Sequence, residues 1–186
     1  DYAVAVESAK LTVIIAAGSI AENGGTTTAT VTRNTGTSGD LVVTLASDDT
    51  SEATVPSTVT IPNGSNSVSF AIAAVDDDFI DGTQTVTITA VAAAYADATV
   101  ALEVTDDDTP GFTITESGGS TRVSESGTTD TFTVVLDAGS LTDVVMTVTS
   151  GDIGEATVDR ASLTFTAANW DLPQTVTVTG VDDAIV

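Results

Sequence analysis

Thr99-Val100-Ala101-Leu102-Glu103-Val104-Thr105 alternates apolar and polar side chains, then runs straight into Asp106-Asp107-Asp108-Thr109-Pro110. Alternation with period two marks a strand that buries one face. Three successive carboxylates and a proline after it read as the end of one β-domain and the joint to the next. The same pattern recurs outward on both sides. Leu41, Val43 and Leu45 face one way while Val42 and Thr44 face the other, and Val68, Phe70, Ile72 and Val86, Ile88 repeat the arrangement. Turn-forming clusters separate these runs at residues 34–39, at Pro62-Asn63-Gly64-Ser65 and at 77–82. Asn63-Gly64 between two alternating runs signals a hairpin. Short strands at roughly ten-residue spacing, with no helical pattern between them, predict an all-β chain of antiparallel β-sandwiches.

An internal repeat sets the number of domains. Ser47-Asp48-Asp49-Thr50-Ser51-Glu52-Ala53-Thr54-Val55 returns as Ser150-Gly151-Asp152-Ile153-Gly154-Glu155-Ala156-Thr157-Val158. Glu22 corresponds to Glu125 at the same offset, and Val75-Asp76-Asp77 to Val181-Asp182-Asp183. The expected organisation is two tandem Ig-like sandwich repeats, at residues 10–108 and 109–186. The second is truncated, without its last two strands. Residues 1–9 alternate like the closing strand of a repeat (Val4, Val6). They are read either as the end of a preceding repeat or as a strand donated to a neighbouring subunit.

Composition narrows the function. Four basic residues stand against 27 acidic ones, a formal charge of -23, which excludes nucleic acid and anionic membranes as partners because both require basic patches. There is no cysteine and no histidine. Disulfides, thiolate or imidazole metal sites, and Ser-His or Cys-His catalysis are therefore absent. A carboxylate pair for glycoside cleavage would want aromatic platforms, and Trp170, Tyr2 and Tyr95 are scattered. The chain is read as non-enzymatic. It opens on Asp1, without a leader and without an apolar run long enough to span a membrane, and is read as a section of a longer polypeptide.

The acids are sorted by the topology. With strands of the first repeat at 11–16, 26–32, 41–47, 57–61, 67–75, 84–91 and 98–105, alternating up and down, 11 of its 14 acids fall at one end. These include Glu22, Asp48, Asp49, Glu52, Asp76, Asp77, Asp78, Asp106, Asp107 and Asp108, whereas Asp40 and Asp97 fall at the other end. Two like charges about 4 Å apart repel by about 1 kcal/mol in water and about 4 kcal/mol at an effective dielectric near 20. Oxygen-only donors gathered this densely point to a hard cation, and Ca2+, with 6–8 oxygens in flexible geometry, suits loop-borne ligands better than Mg2+. The plain alternative is an acidic cap that serves solubility. Glu125, Asp152, Glu155, Asp182 and Asp183 form the sparser candidate set of the second repeat.

Ser19-Ile20-Ala21-Glu22-Asn23-Gly24-Gly25 before a Thr-rich strand resembles the opening of a Calx-beta domain, as do Val75-Asp76-Asp77-Asp78 and Val104-Thr105-Asp106-Asp107-Asp108 further on. The second repeat, through Leu163-Thr164-Phe165-Thr166, Asn169-Trp170 and Pro173-Gln174-Thr175-Val176-Thr177-Val178, resembles units of large bacterial surface proteins built from tandem Calx-beta-like or cadherin-like modules. The resemblance implies a calcium-binding sandwich whose ions sit beside the inter-domain junction. It carries over to Glu22, Asp48, Asp49, Glu52 and Asp106 to Asp108.

The function expected from these readings is structural: a calcium-stiffened section of an extracellular adhesin stalk or surface fibre. Its partners would be neighbouring repeats or subunits, with a cell-surface or glycan ligand elsewhere. The alternatives are a calcium-dependent glycan- or protein-binding module and accessory repeats of a secreted hydrolase. Trp170 is read as a packing plug. The rows Thr85-Thr87-Thr89 and Thr175-Thr177-Thr179 are read as solvent faces of strands, with no regular array across adjacent strands evident.

Overall fold

The computed structural model describes residues 8–182. The strands in chain order are β1 (Leu11–Ile15), β2 (Ser19–Ala21), β3 (Thr26–Arg33), β4 (Leu41–Ser47), β5 (Ala53–Thr54), β6 (Thr58–Ile61), β7 (Ser67–Ala74), β8 (Phe79–Ile80), β9 (Gln84–Val91), β10 (Ala98–Thr105), β11 (Phe112–Glu116), β12 (Thr129–Leu136), β13 (Gly139–Ser140), β14 (Val144–Thr147), β15 (Ala156–Val158), β16 (Ser162–Phe165) and β17 (Gln174–Gly180). The helical content among the described residues is one turn of 3-10 helix, Ser117–Gly119, so the chain is all-β. Among the described residues no helix is long and apolar enough to cross a membrane. Two compact units emerge: Asp1–Asp77 with Gly82–Asp107, and Asp78–Asp81 with Asp108–Val186.

The first unit is a sandwich of two sheets, ordered β1-β3-β7-β5 and β2-β10-β9-β4-β6. Alternation decides which side chains lie between them. Ala29, Val31, Phe70 and Ile72 come from one sheet and Val43, Leu45, Val86, Ile88 and Leu102 from the other, each no more than 5% exposed. Burying a valine, leucine or isoleucine contributes about 1.5–3 kcal/mol, so a core this poor in aromatic rings still holds. Neighbouring strands pair antiparallel except β2, which runs parallel to β10 through Ser19↔Glu103, Ile20↔Val104 and Ala21↔Thr105.

The expected hairpin at Asn63-Gly64 does not form. β6 pairs with β4 and β7 pairs with β3, so this turn carries the chain from one sheet to the other. Gly64 has the left-handed φ of 86° that a tight turn demands, whichever sheet the next strand joins. The buried Arg33 guanidinium, donating to the carbonyls of Ser65 and Gly39, ties the crossing in place.

The second unit has a larger sheet, β11-β12-β17-β15, facing the pair β14-β16 over Val134, Leu136, Leu163, Phe165 and Val176. Residues 78–81, from the loop after β7, belong to it: β8 lies parallel to β13, with Phe79 opposite Gly139 and Ile80 opposite Ser140. A Cβ on Gly139 would stand 2.6 Å from the Phe79 ring, so only glycine lets the ring approach. That ring meets Trp170 edge-on, with centroids 5.8 Å apart at 70°, a favoured aromatic geometry. Threonines take the outer face, and here they do form rows: Thr115, Thr133 and Thr175 stand in register across β11, β12 and β17.

Candidate metal centre

The site begins with a tight turn. After β2, Glu22 N–H donates to the Thr105 carbonyl (3.0 Å) and Gly25 N–H to the Ala21 carbonyl (2.9 Å). Gly24 sits at φ 85°, and a Cβ on Gly25 would collide with the Ala21 carbonyl oxygen, so the Gly-Gly pair is required sterically. The turn pins Glu22 beside the end of β10, where Asp106 and Asp107 follow. It also meets the end of β7, since Ala74 N–H donates to the Gly25 carbonyl (2.9 Å), while the next residue, Val75, donates its N–H to the Glu52 carbonyl (2.8 Å). Asp76 comes next in the chain.

Three carboxylates are thereby brought together. Oxygens of Glu22, Asp76 and Asp107 all lie within 4.8 Å of one another, and Asp106 reaches Glu22 within the same distance. Glu22 is only 2% exposed, whereas Asp76 and Asp107 face solvent. Asn23 Nδ2 donates to Asp107 Oδ2 (2.5 Å) and Gly82 N–H to Asp106 Oδ2 (2.7 Å), which orients both aspartates. Composition and spacing did not mark Asn23 or Gly82 for this role.

Neither basic side chain of this unit stands at the acidic end. Lys10 and Arg33, the basic residues of this unit, lie at its opposite end, where Lys10 N–H donates to Asn34 and the register places Leu11 opposite Arg33. Oxygens bound to one Ca2+ at about 2.3–2.6 Å can stand up to about 5 Å apart, whereas the octahedral 2.0–2.1 Å shell of Mg2+ is tighter. An all-oxygen set this close, with one ligand buried and two open to water, could hold a hard cation.

The remaining candidates are placed differently. Asp48 Oδ1 accepts from Thr87 N–H (2.7 Å) at the flank of β9. Asp49 Oδ1 accepts from the hydroxyl and N–H of Ser51, building its own turn, and Asp152 Oδ1 accepts from Gly154 N–H at the matching place in the second unit. Glu52 is buried nearby (6% exposed), and Asp77 is exposed beside Asp76, but neither belongs to the Glu22–Asp76–Asp107 group. Asp78 and Asp108 lie in the second unit, where the Asp78 carbonyl accepts from Gly139 N–H. Glu125 and Glu155, the counterparts of Glu22 and Glu52, are exposed and line an open hollow of about 540 Å³. Asp182 is exposed, and Asp183 lies outside the described residues. Among the described residues, no three acids of the second unit approach as closely as those of the first.

The turn-building aspartates carry a pH signature. The Ser51 hydroxyl, then its N–H, hold Asp49 below the ordinary value of 3.8. The N–H groups of Arg122 and Thr131 do the same for Asp130. A depressed carboxyl adds stability that is present above its unfolded value and is lost as pH falls through its folded value. Carbon-detected NMR titration is expected to place the Asp49 midpoint below 3.8, and Ser51→Ala to move it back upward. An unmoved midpoint would contradict the hydrogen-bond assignment.

No protein-family model and no curated protein matches the sequence. Similar solved structures include the apo Calx CBD1 domain, at 18% identity over 53% of this chain and 99% of that one, with a TM-score of 0.42. The CBD12 segment of CALX1.2 is 16% identical over 92% of this chain and 77% of that one, at a TM-score of 0.44. A protein of unknown function from Porphyromonas gingivalis W83 is 9% identical over 94% and 84%, at 0.38. These similarities are low, and the fold stands on this chain's own strand order and register.

Proposed function

We propose that the chain is a calcium-binding, load-bearing section of an extracellular surface protein, with the ion held at the acidic end of the first unit by Glu22, Asp76 and Asp107. The supporting observation is the buried Glu22 carboxylate with two aspartates within 4.8 Å and neither basic residue of that unit at that end. Carboxylates this close repel one another unless a cation shares them. A divalent cation offsets that repulsion, and it joins the turn after β2, the end of β7 and the tail of β10, adding to the backbone bonds and the Asn23–Asp107 hydrogen bond that already link them. The chain leaves the first unit through Asp106 and Asp107, so an ion bound there stiffens the exit. Loop-built sites outside cells bind calcium at about 10⁻⁴–10⁻³ M, in the range of extracellular calcium. The partners would be neighbouring repeats or subunits.

Calcium titration by calorimetry tests the location. Asp107→Ala is expected to weaken binding by about tenfold or more, the loss of one charged ligand. Asp97→Ala, at the opposite end in the loop between β9 and β10, is expected to leave it unchanged. Equal loss in both variants would remove the site from this end of the molecule.

A further inference from the structure

Asparagine precedes glycine at Asn23-Gly24 and at Asn63-Gly64, and the two pairs are held very differently. In such a pair no side chain shields the glycine nitrogen, which can attack the asparagine amide. At Asn63 the reacting groups are tied into another loop. Its side-chain carbonyl accepts from Gly39 N–H (2.8 Å), its own N–H donates to Asp40 (2.7 Å), and Gly64 N–H donates to the Thr37 carbonyl (2.7 Å). Among the described residues, the ties at Asn23 are fewer and more local. Its amide nitrogen donates to Asp107 (2.5 Å), and Gly24 N–H reaches only the Glu22 carbonyl two residues back (2.5 Å), the bond of a three-residue turn. Asn23 and Gly24 are both exposed, and a Cβ built on Gly24 would meet nothing within 4 Å.

We propose that Asn23 is a self-modification site, at which the folded chain exchanges an amide for a carboxylate beside Asp107. The Gly24 nitrogen attacks Asn23 Cγ, and the new N–C bond closes a succinimide ring. The Cγ–Nδ2 bond breaks, and the departing amide nitrogen takes up the proton that Gly24 gives up and leaves as ammonia. Water then opens the ring at one of its two carbonyls, which leaves aspartate or isoaspartate at position 23. Solvent is the only co-reactant, so the step itself does not depend on a bound cation.

The product changes the acidic end in a defined way. The Asn23 amide donates to Asp107, whereas a carboxylate in its place only accepts, so a donor becomes a like charge at hydrogen-bond distance. The group of Glu22, Asp76 and Asp107 gains a further acid and, on the calcium reading above, a stronger demand for the ion. The turn also selects between the two products. Isoaspartate lengthens the main chain by one atom, inside a turn that closes with Gly25 N–H on the Ala21 carbonyl (2.9 Å) and has no room even for a Cβ on Gly25. Aspartate keeps the length of the chain. The folded protein therefore yields a higher ratio of aspartate to isoaspartate than a free peptide does.

Peptide mapping of the full chain after long incubation at mildly alkaline pH, with chelator present, tests this apart from any calcium binding. Electron-transfer fragmentation separates aspartate from isoaspartate at each position. Every additional hydrogen bond to be broken slows such a step by roughly fivefold, so Asn23 is expected to convert about fivefold or more faster than Asn63. Asp107→Ala, with its fold checked by circular dichroism, frees the Asn23 amide and is expected to speed conversion there by about the same factor, leaving Asn63 unchanged. A synthetic peptide of residues 19–28 supplies the unfolded product ratio. Asn63 converting first would overturn the proposal, as would an Asn23 no faster than Asn34, Asn66 and Asn169, which no glycine follows. A product ratio equal to the peptide's would overturn it too, by showing that only unfolded molecules react. So would an unchanged rate in folded Asp107→Ala. Calcium titration of the same samples succeeds or fails separately, because conversion is scored by mass in chelator.

Discussion

In chelator, the first unit is expected to melt roughly 10–20 °C below its midpoint in saturating calcium, while the second unit barely moves. The size follows from linkage. A ligand that binds only the folded state at about 100 times its Kd adds about 2.7 kcal/mol. In a domain of about 100 residues, each kcal/mol shifts the midpoint by about 4–8 °C. Calcium near 10⁻² M against a Kd near 10⁻⁴ M meets that condition. The asymmetry between units follows from placement: Glu22, Asp76 and Asp107 converge, whereas Glu125 and Glu155 line an open hollow with no third carboxylate as near among the described residues. Differential scanning calorimetry checks both statements. Sodium chloride at matched ionic strength separates a bound ion from plain screening, since screening acts on exposed charges in both units alike. Magnesium should recover little of the shift, because it dehydrates reluctantly and demands near-ideal octahedral geometry, which loop-borne carboxylates do not impose. A first transition indifferent to chelator would remove calcium from this protein's function.

How much of this could be read from residues alone depended on length and phase. The long strands were legible because eight residues such as Gln84–Val91 give four alternations, enough to define a buried face. The strands Ser19–Ala21, Ala53–Thr54 and Phe79–Ile80 were not, since two or three residues show no period, and Phe79–Ile80 sits inside an acidic loop. Asn63-Gly64 misled for a different reason. A left-handed glycine marks a tight turn but does not tell whether the chain returns to the same sheet or crosses to the other. Within the acidic end, the up-and-down order gathered the right loops without ranking their acids. Asp48 and Asp49 have the same charge as Asp76 and Asp107, and what separates them is the backbone N–H each accepts from, at Thr87 and Ser51. Such bonds depend on the turn geometry around each residue. The exposure of Phe112 and Ile114, on a strand that alternates like the others, required coordinates.

Glu22→Gln is expected to move stability in opposite directions with and without calcium. The amide keeps the shape of the side chain and one oxygen that can face an ion, and removes the charge. In chelator, wild type holds three carboxylates within 4.8 Å of one another. Each such pair repels by about 3–4 kcal/mol at an effective dielectric near 20, and by nearer 1 kcal/mol where water screens it. Asp76 and Asp107 face solvent, so the lower figure governs the pairs they make with Glu22. Neutralising Glu22 relieves both pairs and lessens the burden of a charge that is 2% exposed, which raises the ion-free midpoint by several degrees. In saturating calcium the balance reverses. The ion has lost its one buried anionic ligand, its affinity drops by about tenfold or more, and about 1.4 kcal/mol or more of linked stability goes with it. The two melting curves therefore draw together in the variant: higher than wild type without the ion, lower with it. A structural role for Glu22 unconnected with a cation predicts something else, a midpoint lowered by the same amount in both conditions. Calorimetry of the variant with calcium and with chelator distinguishes the two, because only a residue that both suffers from the cluster's charge and helps neutralise it through an ion shows the change of sign.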